Sequence, residues 1–126
     1  MPDRPSPTLL DAGLVATGGA LGSLARWGLT LTSPEPWGTV TANVSGSFSI
    51  GLLAGWLFVR HPRLRLLLGV GLLGGYTTFS THLLDAHKLL DDPIRAAAYV
   101  GGTLVGCVVA AAAGLALGRR LPGATR

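Results

Sequence analysis

Four apolar stretches leave this chain few ways to fold. They run over 13–32, 38–59, 64–84 and 94–118. Each has about twenty residues or more, and as a helix rising 1.5 Å per residue each matches roughly 30 Å of hydrocarbon. The joints are polar and marked by proline: SPEP at 33–36, RHPRLR at 60–65 and DAHKLLDDP at 85–93. The mean hydropathy is +0.49. Only 13% of residues are charged, against roughly 25% in soluble domains. A soluble bundle of 126 residues would lack the polar surface to cover four such helices. The expectation is one all-α integral membrane domain over 1–126, with short tails at 1–12 and 119–126. The first tail, MPDRPSPTLLD, lacks the basic-then-apolar pattern of a cleaved signal.

The charge distribution excludes several function classes. The net charge of +4 is spread between apolar blocks and not along one amphipathic face, which fits basic membrane loops and speaks against nucleic acid. All six acids fall in tails, joints or helix ends, so no deep carboxylate is available for proton-coupled export. An enzyme lacks its parts: there is no carboxylate pair, HExxH or phosphate loop, and no nucleophile beside a base. His61, His82 and His87 have no metal-ligand spacing, and the single Cys107 has no partner cysteine.

Small residues recur every fourth position on three blocks. Gly102, Gly106, Ala110, Gly114 and Gly118 form one stripe, Ser47, Gly51 and Gly55 a second, and Gly18 and Gly22 a third. In lipid such faces let backbones approach closely, and that packing holds helices together. Helices with small faces enclose little volume, so a pathway is expected between copies. The remaining intramembrane polarity is neutral. Asn43 and Ser47 share a face of the second block, and Tyr99, Thr103 and Cys107 share a face of the fourth. One hydroxyl alone normally bonds the carbonyl one turn back, and Asn43 alone can serve as an interhelical bond. Together the stripes outline a narrow path suited to an anion or a small neutral solute.

The third block holds GGYTTFSTH at 74–82. Two successive glycines cost a helix about 1 kcal/mol each relative to alanine, and two β-branched threonines follow. The pattern predicts a helix that breaks near the bilayer midplane. Broken backbone at that depth is tolerated only where it is buried in protein or lines a cavity. Its freed carbonyls can hold a cation, and its freed N–H groups can face an anion. Phe79 in a narrow path can turn the positive edge of its ring toward an anion, or simply pack.

These residues carry a resemblance. GGALGSLARW at 18–27, GTVTANVSGSFSIG at 38–51 and GLLGGYTTFST at 71–81 resemble the first, second and third helix motifs of the Fluc (CrcB) family of small bacterial fluoride channels. The resemblance implies an antiparallel dimer in the cell membrane, with two narrow fluoride pores and a central structural sodium ion. Position by position, it implies that Gly74 and Thr77 offer main-chain carbonyls to sodium. Asn43 would donate its amide to fluoride and Phe79 its ring edge. Ser80 and Thr81 would continue the polar track, Tyr99 and Thr103 would line the fourth-helix side, and Arg26 would serve a vestibule or the fold. The chain departs from the family pattern at His82, where a second phenylalanine is usual. That histidine leaves the second pore position degenerate, or it supplies an edge or N–H donor and makes conduction pH-sensitive. Passive fluoride export is the function implied. A non-conducting half of a heterodimer and a small-solute exporter are the alternatives.

With four crossings, both tails and the 60–65 joint share one side. That side carries Arg4, Arg60, Arg63, Arg65, Arg119, Arg120 and Arg126, against Arg26, Lys88 and Arg95 opposite. Basic loops face the cytoplasm, so both termini are expected there. A chain inserting both ways would have nearly balanced counts. Combined with the antiparallel dimer of the resemblance, the bias implies a second homologous subunit as the dimer partner.

Overall fold

The computed structural model describes residues 7–58 and 60–124. Of the basic residues counted for orientation, Arg4 and Arg126 lie outside that range, as does the first half of the 1–12 tail. Helix α1 spans Leu9–Thr32 and starts on a reciprocal cap: the Asp11 N–H donates to the Thr8 hydroxyl at 3.2 Å, and the Thr8 N–H donates to the Asp11 carboxylate at 2.9 Å. Helix α2 spans Trp37–Trp56. The third apolar stretch is not one regular helix. A short turn α3 (Pro62–Leu64) leads into a π-helical segment π1 (Arg65–Leu73) and a last turn α4 (Gly74–Tyr76). Helical geometry stops there and resumes in α5 (Ser80–His87). Helix α6 (Pro93–Gly118) opens on Asp92, whose carboxylate accepts the Ile94 and Arg95 N–H groups at 3.1 Å, with Pro93 at the first helical position.

Two helix pairs hold the molecule together: α1 packs on π1 and α4, and α2 packs on α6. Both pairs use the small-residue faces. A Cβ on Gly18 would lie 2.8 Å from the Leu72 nitrogen and 3.0 Å from the Gly71 Cα. A Cβ on Gly114 would lie 2.9 Å from the Leu52 nitrogen and 3.1 Å from the Phe48 carbonyl carbon, and one on Gly55 3.0 Å from the Arg119 nitrogen. Glycine is therefore what allows these backbones to touch. The expected stripe on α6 divides in two. Its Gly114 and Gly118 end is buried on α2, whereas Gly102 faces open space and Gly106 meets only the Val44 side chain at 3.6 Å.

The distribution of polarity is the reverse of a soluble protein's. Trp27, Leu31, Ile94, Val105, Val108 and Val109 are exposed. Thr39, Asn43, His82, Asp85 and Thr103 are buried. In water this arrangement would leave large apolar area wet while desolvating polar groups. In lipid it is the expected one. Helix α6, with 26 residues and a hydropathy of 2.1, is long and apolar enough to cross a membrane. Helices α1 and α2 have the length, but their many glycines, serines and threonines dilute the hydropathy.

Gly114→Ala is expected to destabilise the fold by about 1–3 kcal/mol, because its Cβ overlaps α2 backbone that cannot move aside. Gly101→Ala meets nothing within 4 Å and is expected to be neutral or stabilising by up to about 1 kcal/mol. Thermal unfolding of the two variants in detergent reads the difference.

Candidate functional site

The interruption between α4 and α5 is built by Asn43. In a continuous helix the Thr78 N–H would donate to the Gly74 carbonyl. Here it donates to the Asn43 Oδ1 at 2.7 Å, while the Asn43 Nδ2 donates back to the Thr78 carbonyl at 2.8 Å. One side chain thus satisfies both backbone groups of the residue at the break. The next diversion is made by Thr78 itself. Its hydroxyl accepts the Thr81 N–H at 3.2 Å and caps α5, so that N–H does not return to the Thr77 carbonyl. Thr77 is extended, with ψ 157°. Gly74 and Thr77 are therefore among the residues at the break, with Gly75 and Tyr76 between them, whose carbonyls lack their ordinary helical donors.

A cavity of about 440 Å³ opens on this junction. Asn43, Gly74, Thr77, Phe79, His82 and Thr103 all contribute to its wall, so six of the residues singled out in the sequence converge there. Tyr99 lines a neighbouring cavity of about 520 Å³ on the other side of Thr103, which it shares with Glu35, Trp37 and Arg95. Ser80 and Thr81 stand at the start of α5, joined to the break through the Thr78 hydroxyl at 3.3 and 3.1 Å. Arg26 is half-buried on α1 and makes no ion pair among the described residues.

The individual side chains differ in what they have free. The hydroxyls of Thr103, Thr77, Ser45 and Ser49 donate to carbonyls one turn back, at 2.6–3.0 Å. Their protons are therefore engaged, as a lone intramembrane hydroxyl's usually is. Phe79 is 64% exposed on this chain, and its ring centroid lies 6.5 Å from that of His82. His82 is the largest fully buried side chain, stacked on Tyr99 at 4.6 Å. Both of its ring nitrogens, and the Tyr99 hydroxyl, are buried without a hydrogen-bond partner among the described residues. Leaving such groups unpaired costs about 1–3 kcal/mol each.

One acid departs from the sequence reading. Asp85, assigned to a joint, lies within α5 and is 3% exposed. The Thr39 hydroxyl donates to it at 2.7 Å, and the Lys88 ammonium lies 3.4 Å away. Lys88 also pairs with Glu35 at 2.6 Å, and that hydrogen bond raises the lysine's pKa. Neither Thr39, one of the polar residues of the second block, nor Thr78 is assigned a role by the sequence. Thr78 stood inside the quoted break, whereas Thr39 meets Asp85 across 46 positions. No group of three or more His, Cys, Asp or Glu side chains able to hold a metal occurs among the described residues.

Comparison with known proteins adds an independent line. A family model described as "CrcB-like protein, Camphor Resistance (CrcB)" matches residues 13–115. A protein of Agrobacterium fabrum called "Fluoride-specific ion channel FluC" is 44% identical over 124 residues, covering 90% of this chain and 99% of its own. Its namesake from Nitrobacter winogradskyi is 45% identical over 116 residues, covering 83% and 92%. "Fluoride-specific ion channel FluC 2" of Thermobifida fusca is 44% identical over 109 residues, covering 79% and 81%.

Asn43→Ala would strand the Thr78 N–H and carbonyl together, and is expected to cost about 2–4 kcal/mol. Asn43→Asp keeps an acceptor for the N–H, but only its protonated form also keeps a donor for the carbonyl, so it is expected to cost less than alanine in acid and more where it ionises. The unfolding temperatures of the two variants in detergent order them.

Proposed function

The chain belongs to the CrcB/FluC family of fluoride channels, transport proteins and not enzymes, and we propose that it is a subunit of a passive, fluoride-selective pore that lets the ion leave the cytoplasm. The single observation that carries this reading is the diverted backbone at Thr78 beside a cavity lined by Asn43, Phe79 and His82. Fluoride is small and tightly hydrated. A selective path must replace its water with N–H and O–H donors and ring edges, at a depth where no water can compensate for a missing bond. The second N–H of the Asn43 amide is such a donor, since the first is held by the Thr78 carbonyl. The Phe79 ring edge adds a weaker attraction, and Ser80, Thr81, Tyr99 and Thr103 continue the track. The one carboxylate buried nearby, Asp85, is bonded by Thr39 and Lys88, which tempers its repulsion of an anion.

Phe79 is uncovered and the cavity wall incomplete in a single chain, which supports an assembly of two copies with four crossings each. Antiparallel packing would place two breaks back to back. The Gly74 and Thr77 carbonyls have lost their helical donors and fit a hard cation such as sodium, which takes oxygen ligands. A bound sodium ion would offset the carbonyl dipoles and favour anions nearby. Arg26 would act at a vestibule or hold the fold. His82 favours the second reading, a heterodimer whose partner keeps the aromatic edge that this chain lacks.

Fluoride efflux from liposomes holding this chain alone tests the reading. Rapid efflux would show that two copies suffice for a pore, and Asn43→Asp should then slow it at least about tenfold by placing negative charge at the donor. Absent efflux from the folded wild type would leave the non-conducting half as the surviving reading.

Orientation is tested separately. C-terminal fusions to a cytoplasm-active and an exterior-active reporter should give signal from the cytoplasmic one only, following the arginine bias of the joints and tails. Equal signal from both would mean dual topology and remove the case for a second subunit.

A further inference from the structure

We infer that Arg60, Arg119 and Arg120 form a binding site for the headgroup of an anionic phospholipid at the end of the α2–α6 pair. Helix α6 carries no charge between Arg95 and its end at Gly118, and two arginines follow at once. They and Arg60, from the joint after α2, line one cleft of about 730 Å³ that is completed by residues 121–124. Among the described residues no carboxylate lines the cleft, and the ion pairs all use Lys88 at the opposite end of the bundle. Three guanidinium groups facing one space repel each other unless an anion joins them. Their planar forks match phosphate oxygens in geometry as well as charge.

The cleft is built and not merely basic. The Trp56 indole N–H donates to the Pro122 carbonyl at 3.1 Å. That bond ties the chain after α6 to the end of α2. The turn is closed by the Leu121 N–H on the Gly118 carbonyl and the Ala124 N–H on the Leu121 carbonyl. Tryptophan at the end of an apolar helix belongs at headgroup depth. The exposed Leu117 and the Trp56 ring beside the cleft offer apolar surface to acyl chains. This placement points to a lipid phosphate and away from free phosphate. The site owes nothing to the fluoride reading, and its test does not involve ion flux.

Native mass spectrometry of the full chain, in detergent with equal phosphatidylglycerol and phosphatidylcholine, counts the lipid retained. Phosphatidylglycerol should be retained preferentially. Arg119→Gln/Arg120→Gln should lower its retention about tenfold and Arg60→Gln alone about threefold. Arg63→Gln/Arg65→Gln, which removes equal charge from the neighbouring joint, should leave it near wild type. Equal retention of the two lipids, or equal loss from both arginine pairs, would overturn the site as a diffuse basic surface. Displacement of phosphatidylglycerol by millimolar inorganic phosphate would overturn it as a site for free phosphate. The substituted arginines are exposed, so the variants should fold, and Arg60→Gln gives an independent reading from another element.

Discussion

The reciprocal pair between the Asn43 amide and the backbone of Thr78 is the interaction on which the rest depends. In a bilayer no water is at hand to satisfy an interrupted helix, so an interruption persists only if protein groups replace the lost bonds. Asn43 does this with one donor and one acceptor at a single residue. The diversion of the Thr78 N–H leaves the Gly74 carbonyl without its helical donor, and the Thr78 hydroxyl does the same to Thr77 by capping α5. Helix-breaking glycines set the place, but the amide fixes the geometry.

The tight faces of α1 on π1 and of α2 on α6 support that junction. Backbone contact through Gly18, Gly71, Gly51 and Gly114 leaves little interior. What is buried is mostly glycine, with a few polar side chains among small apolar ones, and many large apolar side chains are exposed. A chain arranged in this way fits lipid or a second copy around it. Phe79 is uncovered on this chain, beside the cavity at the break.

The all-α character was legible from the apolar stretches, of which α6 is a helix long and apolar enough to cross a membrane. The caps were legible in part: the aspartate-proline pair at 92–93 marks the start of α6 within one residue of the expected 94. The break was legible from glycine and threonine chemistry. The expected span 38–59 ended later than α2, which stops at Trp56, and 64–84 ended before α5, which runs on to His87. That difference hid Asp85. Read as a joint residue, it is a buried carboxylate held by Thr39, and no local pattern reports a contact made between two helices so far apart in sequence. The stripe on α6 was legible as a stripe, but sequence could not say which half faces α2 and which is open. Hydroxyl count overstated the donors available, since Thr103 and Thr77 bond their own helices.

Thr77–Thr78 is the one threonine pair in the sequence. Threonine labelled with ¹³C at the carbonyl and ¹⁵N at the amide therefore reports, through that single bonded pair, the Thr77 carbonyl and the Thr78 N–H alone. Solid-state NMR of the labelled protein in bilayers tests whether the break releases a carbonyl to a cation. The account predicts that the Thr77 carbonyl resonance moves when sodium is replaced by N-methylglucamine. A carbonyl resonance unmoved by removal of sodium would contradict it.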